Sequence, residues 1–285
     1  MILELMIKKL RDRSNLTQRI VAALIGAPLI IMGIVYSPTS FWLLILTITI
    51  LTQYEFYKLL GMSGGFPLKI YGTFCGAVII SLTYFIETYT IDFENYYIMV
   101  PMLTFTFFIK LYKKKDTMPF VNLGYTFLGI IYVVIPFALL NELAFWKGSF
   151  QPLLVIGVFV ILWSNDSGAY LAGRLFGKRK LFERISPKKT WEGFFGGAII
   201  ALVASFFYWK FTESLSMDQW LCIAVIIATT GTLGDLVESL FKRSIAIKDS
   251  GSLIPGHGGF LDRFDGLLLS MPFILTFIKF YARLN

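Results

Sequence analysis

Charged residues, cysteine and histidine are all scarce in this chain. Only 15% of its 285 residues are Asp, Glu, Lys or Arg, and it has two cysteines and one histidine. Soluble domains contain about 25% charged residues. Cys75 and Cys222 both lie in apolar stretches, where a free thiol packs as a small hydrophobic group. The composition therefore indicates neither a disulfide framework nor a zinc site.

Apolar residues are in excess instead. They make up 56% of the sequence, aromatic residues make up 17%, and the mean hydropathy is +0.70, as in integral membrane proteins. No segment alternates between apolar and polar residues as a barrel strand does. We therefore predict an all-α integral membrane protein, a polytopic helical bundle of about nine transmembrane helices. The predicted spans are 20–36, 41–60, 70–88, 97–112, 120–143, 152–172, 192–210, 219–240 and 260–282.

The distribution of the net charge of +8 indicates membrane topology rather than nucleic-acid binding. With a cytoplasmic N-terminus, all but four of the 26 Lys and Arg residues fall in cytoplasmic segments, as the positive-inside rule predicts. The exceptions are Lys147, Lys210, Lys279 and Arg283. We therefore predict a cytoplasmic N-terminus, an external C-terminus and no nucleic-acid partner.

We predict one helical membrane domain with two regions. Residues 1–150 form an N-terminal transmembrane region of about five spans, with an interfacial helix at 2–12. Residues 151–285 form the region whose spans contain polar residues, with basic cytoplasmic loops at 173–191 and 241–259. The first apolar run follows a basic start but lacks a small-x-small cleavage site, so we expect it to remain as the first span.

Three predicted spans contain carboxylates, which are costly in a membrane and normally line a site. Asp166 lies in the sixth span, Asp235 and Glu238 in the eighth, and Asp262 and Asp265 at the start of the ninth. Counting along the helices places these groups at one level, roughly 10 Å from the cytoplasmic surface, beside loops rich in Lys and Arg. Because Mg²⁺ prefers oxygen ligands and basic side chains hold phosphate charge, this arrangement predicts Mg²⁺-dependent phosphate chemistry.

The segment around the single histidine leaves alternatives open. Asp262 and Asp265 are spaced i, i+3 on one helix face, and either could serve only as a helix cap. The glycines beside His257 free the backbone to approach an anion, but any loop that enters a membrane helix can need them. His257 itself either contacts phosphate or is structural, and a metal-ligand role is disfavoured because Mg²⁺ prefers oxygen.

The stretch SLFKRSIAIKDSGSLIPGHGGFLDRFD, residues 239–265, resembles the signature of CDP-diacylglycerol synthases, also called phosphatidate cytidylyltransferases. SNDSGAYLAGRLFGK (164–178), SPKKTWEG (186–193) and GDLVES (234–239) are similar to segments of the same family. The resemblance covers about the last 120 residues, whereas the first 150 agree only in being hydrophobic spans.

The resemblance implies an enzyme of phospholipid biosynthesis that joins CTP to phosphatidic acid and releases CDP-diacylglycerol and pyrophosphate. It implies Mg²⁺, with room for a second cation, and a site that faces the cytoplasm from the bacterial inner membrane. It implies catalytic roles for Asp262, Asp235, Lys242, Arg263 and His257. Substrate-binding roles fall to Lys188, Lys189, Arg243, Lys248, Ser239, Gly258, Gly259 and Asn165. Asp262 and Asp235 are the first choices as metal ligands, followed by Asp265, Asp249 and Asp166.

A homodimer is also expected from the resemblance. Gly193 and Gly197 form a small-xxx-small pair, which packs helices either within one chain or between two. Among other functions, a secondary transporter would place its charges near the midplane and show inverted repeats, which are not found. A CDP-alcohol phosphotransferase would need Asp-Gly-x-x-Ala-Arg and a polyprenyl transferase an Asp-Asp-x-x-Asp box, and neither occurs. A noncatalytic scaffold would not gather polar residues at one depth.

Overall fold

The protein is nearly all helical. The computed structural model describes residues 26–114, 116–212, 214–247 and 259–284. These ranges also contain an antiparallel hairpin of β1 (Lys180–Phe182) and β2 (Ser186–Thr190), in which Lys180 pairs with Thr190 and Phe182 with Ser186. The hairpin occupies the loop predicted at 173–191, where no strand was expected. The interfacial helix predicted at 2–12 lies outside the described residues.

The part of the chain that is described contains eleven α-helices. They are α1 (Gly26–Val35), α2 (Pro38–Met62), α3 (Lys69–Glu87), α4 (Met99–Leu111), α5 (Pro119–Gly129), α6 (Ile135–Ala144), α7 (Pro152–Phe176), α8 (Trp191–Phe211), α9 (Met217–Ile226), α10 (Thr232–Ser244) and α11 (Leu261–Leu284). The π-helical turns Ile130–Val134 and Ile227–Gly231 join α5 to α6 and α9 to α10.

Seven helical segments of the described residues are long and apolar enough to cross a membrane. They are α2, α3, the α5–α6 segment, α7, α8, the α9–α10 segment and α11. These seven correspond to seven of the predicted spans. The span predicted at 97–112 is a helix of 13 residues, α4, preceded by the 3₁₀ turn Phe93–Ile98. The span predicted at 20–36 is described only from Gly26, so the count of nine stays a prediction.

Polar caps fix where two helices begin. Ser37 and Ser40 form a capping box at the start of α2, which satisfies backbone N–H groups that have no partner within the helix. At the start of α8, the Thr190 side chain accepts a hydrogen bond from the Gly193 N–H at 3.2 Å. Because β2 ends at Thr190, this cap also fixes the direction in which the basic hairpin leaves α8.

A buried ion pair ties the end of α4 to two neighbouring connections. Lys110 Nζ donates to the Phe66 carbonyl at 2.7 Å and pairs with the Asp116 carboxylate. The Asn122 side chain donates to Asp116 Oδ1 at 2.6 Å and accepts from the Phe66 N–H at 2.8 Å. Burial acts to raise the pKa of Asp116, but these hydrogen bonds outweigh it, so the pKa lies below its ordinary value. Lys110 therefore holds the end of α4 against the two neighbouring connections, in addition to being one of the basic residues predicted on the cytoplasmic side.

The two predicted regions, 1–150 and 151–285, share one hydrophobic core. The ring of Phe264 on α11 lies 5.6 Å from that of Phe137 on α6 and 6.5 Å from that of Phe159 on α7. Phe56 on α2 belongs to the N-terminal region, like Phe137. Its ring lies 5.0 Å from that of Phe241 on α10, in the region 151–285. The N-terminal helices therefore pack directly on the helices that contain the predicted site.

Candidate active site

A cavity of about 510 Å³ opens between α7, the hairpin, α8, α10 and α11. Carboxylates and cations both line it, together with glycines that bring the backbone close. The lining includes Asn165, Asp166, Tyr170, Arg174, Lys188, Lys189, Thr190, Phe194, Thr232, Asp235, Asp262, Arg263, Asp265 and Gly266. The volume is within the range of small-molecule sites in proteins.

Close packing of α7 on α8 forms one wall of the cavity. A Cβ at Gly197 would lie 2.8 Å from the Asn165 carbonyl oxygen, and one at Gly193 would lie 2.9 Å from that of Ala169. Both distances are too short for any side chain, so these positions need glycine. The small-xxx-small pair therefore packs helices within the chain, one of the two readings that the sequence left open.

Three carboxylates from two helices converge beside the cavity. Asp235 and Glu238 on α10 and Asp265 on α11 each place an oxygen within 4.8 Å of the others. Glu238 is only 1% exposed, and its carboxyl group contacts that of Asp262 as well as Lys242. Two oxygens on opposite sides of Mg²⁺ lie about 4.2 Å apart, so small side-chain rotations would let this set hold the ion. The cluster therefore fits a hard divalent cation.

Two lysines connect the carboxylates. Lys189 Nζ lies 2.6 Å from Asp235 Oδ2 and 3.3 Å from the Thr232 carbonyl oxygen. Lys242 Nζ lies 2.5 Å from Glu238 Oε2 and 2.6 Å from Asp262 Oδ1. Lys189, whose side chain is 23% exposed, brings positive charge from the hairpin to the cavity, whereas the mostly buried Lys242 links α10 to α11.

Asp262 has protein partners for both carboxylate oxygens. Oδ1 pairs with Lys242, and Oδ2 accepts the Gly259 N–H at 2.9 Å, the pattern of a residue that caps its own helix. Asp265 is held more simply, because its Oδ1 accepts the Gly266 N–H at 2.7 Å. Of the two aspartates, Asp265 is the one that contributes an oxygen to the three-carboxylate cluster.

A family model described as "Cytidylyltransferase family" matches residues 17–281, nearly the whole chain. The chain belongs to this family. The family resemblance predicted from residues 164–265 is thus confirmed.

Curated relatives match shorter parts of the chain. A Haemophilus influenzae protein named phosphatidate cytidylyltransferase is 46% identical over 132 residues, 45% of this chain and 46% of the relative. A Bacillus subtilis protein of the same name is 40% identical over 182 residues, 64% of this chain and 65% of the relative. One from Staphylococcus epidermidis is 39% identical over 163 residues, 56% of this chain and 60% of the relative. In each case the chain spans less than two thirds of the relative's length.

Of the predicted site residues of this cytidylyltransferase family member that the structure describes, most line the cavity. Those that line it are Asn165, Asp166, Lys188, Lys189, Asp235, Asp262, Arg263 and Asp265. Ser239 donates to Asp235 Oδ1 at 3.3 Å, whereas Arg243 is exposed and donates to the Ile247 carbonyl. Lys242 and Gly259 are not among the residues that line the cavity, but both contact Asp262. The predicted site residues Lys248, Asp249, His257 and Gly258 lie outside the described residues.

The sequence interpretation did not assign Glu238 a role in metal binding. Its signal was present, because Asp235 and Glu238 are spaced i, i+3 on α10 and so share a helix face. Tyr170 and Arg174 were also not chosen as site residues, although they line the cavity one helical turn apart on α7. Nothing in their spacing distinguishes Arg174 from a residue that only sets membrane topology.

Proposed function

We propose that this chain is a phosphatidate cytidylyltransferase, which converts CTP and phosphatidic acid into CDP-diacylglycerol and pyrophosphate. The observation that supports it best is the cluster of Asp235, Glu238 and Asp265, with Lys189 and Lys242 bound to it, beside a cavity of about 510 Å³. Acidic ligands for a cation next to basic side chains suit a reaction between two phosphate groups. The names of the relatives agree with this chemistry.

We assign the metal to Asp235, Asp265 and Glu238. When bound, Mg²⁺ would neutralise phosphate charge and orient the triphosphate. Asp262, which with Asp235 was a first choice from the sequence, acts in this proposal by holding Lys242 against Glu238. Asp166 lines the same cavity and is available to a second cation.

A phosphate oxygen of phosphatidate attacks the α-phosphorus of CTP. The new P–O bond forms as the bond from the α-phosphorus to the bridging oxygen breaks, and pyrophosphate leaves in line. The lipid phosphate is already ionised, so no general base has to remove a proton. Lys188, Lys189 and Arg263 line the cavity and balance the charge that the two phosphates bring together. His257, Gly258, Lys248 and Asp249 keep the phosphate-binding and metal-binding roles that the resemblance implies.

The site lies on the cytoplasmic face of the bacterial inner membrane in this proposal, and the chain has nine spans. The contact between Lys110 and Phe66 brings the end of α4 to the connection between α2 and α3. The 3₁₀ turn Phe93–Ile98, by contrast, follows the opposite end of α3. This turn and α4 together therefore run the full length of α3 and provide the fourth crossing. A homodimer remains part of the proposal, although Gly193 and Gly197 are used within the chain.

Cysteine labelling tests this topology. In a Cys222→Ala background, because Cys222 is exposed, a cysteine at Glu183 in the hairpin should react with an impermeant maleimide only from the cytoplasm. A cysteine at Thr90, before α4, should react only from outside. An odd number of proposed spans separates the two positions. Labelling of both from the same side would show that one of the three spans between them, of which α4 is the shortest, does not cross the membrane.

A single methyl group between the two metal-binding helices should also impair the enzyme. A Cβ at Gly234 would lie 2.5 Å from the Asp265 carbonyl oxygen and 3.1 Å from Gly266 Cα. Gly234→Ala should therefore push α10 from α11 and lower the initial rate by about tenfold to a hundredfold. Gly124→Ala, whose Cβ would meet nothing within 4 Å, is the matched control. Equal rates in the two variants would contradict the close approach of the helices.

The function itself is tested by following pyrophosphate release from purified protein in detergent with CTP and Mg²⁺. We expect release to depend on phosphatidic acid and to fall sharply when diacylglycerol, which lacks the phosphate, replaces it. ATP, GTP and UTP serve as nucleotide controls. Pyrophosphate release that is unaffected by omitting phosphatidic acid would rule out the proposed acceptor.

A further inference from the structure

Glu55 is a buried acid in a helix that the sequence interpretation left without a role. It lies on α2, in the N-terminal region, and is only 2% exposed. α2 is otherwise apolar enough to cross a membrane. Because an ionisable side chain inside such a helix is costly and is retained for a purpose, its contacts indicate what this region contributes to the site.

The Glu55 carboxylate contacts the backbone that enters α11. Its Oε2 accepts the Phe260 N–H at 2.9 Å, across 205 residues of sequence. Phe260 directly precedes α11, and the first N–H groups of a helix have no acceptor within the helix itself. Glu55 therefore serves as a helix cap supplied by another span, and its negative charge suits the positive end of the α11 dipole.

This cap is coupled to the acidic cluster through short contacts. The amide before Phe260, that of Gly259, donates to Asp262 Oδ2 at 2.9 Å. Asp262 Oδ1 pairs with Lys242, which in turn pairs with Glu238. Two consecutive amides thus connect Glu55 on one side with the residues that join α10 and α11 on the other.

Phe56, the residue that follows Glu55, packs on α10, the helix that carries Asp235 and Glu238. The ring of Phe56 lies 5.0 Å from that of Phe241 on α10. The end of α2 therefore contacts α10 through Phe56 and the start of α11 through Glu55. Both helices of the three-carboxylate cluster rest on this one span.

We propose that Glu55 is a positioning residue, which fixes the start of α11 so that Asp265 meets Asp235 and Glu238 in the geometry that binds the cation. This inference rests on the proposed function for its catalytic consequence. Glu55 does not touch substrate in this account. Its carboxyl oxygen matters as an acceptor for the Phe260 N–H.

The test compares three variants of the full chain in detergent. Glu55→Ala removes the acceptor, and Glu55→Gln keeps a carbonyl oxygen at the same reach. Thr52→Val is the control, because the buried Thr52 hydroxyl lies one turn away on α2 and has no hydrogen-bond partner among the described residues. Amide hydrogen exchange of the peptide that contains Phe260 is measured together with initial rates over a Mg²⁺ titration.

For Glu55→Ala we expect exchange in that peptide to quicken by about tenfold. We also expect a turnover number at least about tenfold lower and a higher Mg²⁺ concentration for half-maximal rate, partly restored by excess Mg²⁺. Glu55→Gln should stay within about threefold of the parent in both measurements, and Thr52→Val should match the parent. A merely structural role would lower thermal stability without changing the Mg²⁺ dependence.

Three results would overturn the inference. They are unchanged exchange near Phe260 in Glu55→Ala, a Mg²⁺ dependence equal to the parent's, or a Glu55→Gln defect as large as that of alanine. If Glu55→Ala does not fold, Glu55→Gln still decides, since the proposal requires it to be nearly parental. If the unsubstituted protein forms no CDP-diacylglycerol, the proposed function is wrong. The exchange measurement would still show whether Glu55 holds the start of α11.

Discussion

Asp235→Asn and Asp265→Asn are each expected to lower the turnover number by about a thousandfold or more, with the fold retained. Asparagine has the size and an acceptor oxygen of aspartate but lacks the charge that holds a divalent cation. Each tenfold loss corresponds to about 1.4 kcal/mol of barrier. Initial rates over a Mg²⁺ titration, together with thermal unfolding of each variant, measure the effect.

The double variant should be little worse than either single one, because residues that hold one metal act as a unit. Asp218→Asn is the matched control, since Asp218 begins the same long helical segment and its carboxylate accepts a hydrogen bond from Tyr281, away from the cavity. It should leave the rate unchanged. Multiplicative defects in the double variant would mean that Asp235 and Asp265 do not serve one ion.

Asp262→Asn separates a metal ligand from a residue that holds Lys242. Both oxygens of Asp262 have protein partners, so asparagine weakens the ion pair and keeps the contact with the Gly259 N–H. We expect a fall in rate of about tenfold to a hundredfold with the Mg²⁺ dependence of the parent. A strongly shifted Mg²⁺ dependence would instead show that Asp262 is a metal ligand, as the sequence predicts.

Lys242→Met is expected to be the most destabilising single change at the site. Lys242 pairs with the Glu238 and Asp262 carboxylates, whose side chains are only 1% and 9% exposed. Removing the cation leaves both carboxylates buried without it, which costs about 3–5 kcal/mol in comparable buried pairs. Thermal unfolding in detergent should show a large drop in Tm, and activity should be lost.

Lys279→Met provides the comparison within the same molecule. Lys279 pairs with Glu142 at 2.8 Å, but these side chains are 47% and 30% exposed, so the loss should be under about 1 kcal/mol. Glu238→Gln combined with Lys242→Met should recover part of the stability, because it removes one of the buried charges. A Tm for Lys242→Met equal to that of Lys279→Met would show that Lys242 does not stabilise the two carboxylates.

The sequence was sufficient to indicate which carboxylates gather at the site but not how they contact one another. Hydropathy located the seven long spans, and counting along them placed Asp166, Asp235 and Asp265 at one depth, where they do line or border one cavity. Which of these carboxylates face each other depends on the packing of α10 on α11. That packing is set by backbone approach at Gly234 and Gly266, which a spacing pattern does not reveal.

Contacts between distant segments were beyond the sequence for the same reason. The position of a residue along a helix can be counted from the sequence, but the sequence does not show which helices pack against each other. The hydrogen bond from the Phe260 N–H to Glu55 could therefore not be predicted. The hairpin was missed because the strands of 180–190 are short and contain no regular alternation. Lys110 followed the positive-inside pattern, and only its buried partner Asp116 identifies it as a structural residue.

The most direct measurement of the central claim uses CTP labelled separately at the α-phosphorus and the γ-phosphorus. Purified protein is incubated with phosphatidic acid and Mg²⁺, and the lipid and aqueous phases are then separated. The account predicts that the α-label enters the lipid phase in a one-to-one ratio with pyrophosphate, which carries all the γ-label into the aqueous phase. Appearance of the γ-label in lipid, or no labelled lipid at all with any divalent cation, would contradict cytidylyl transfer at this site.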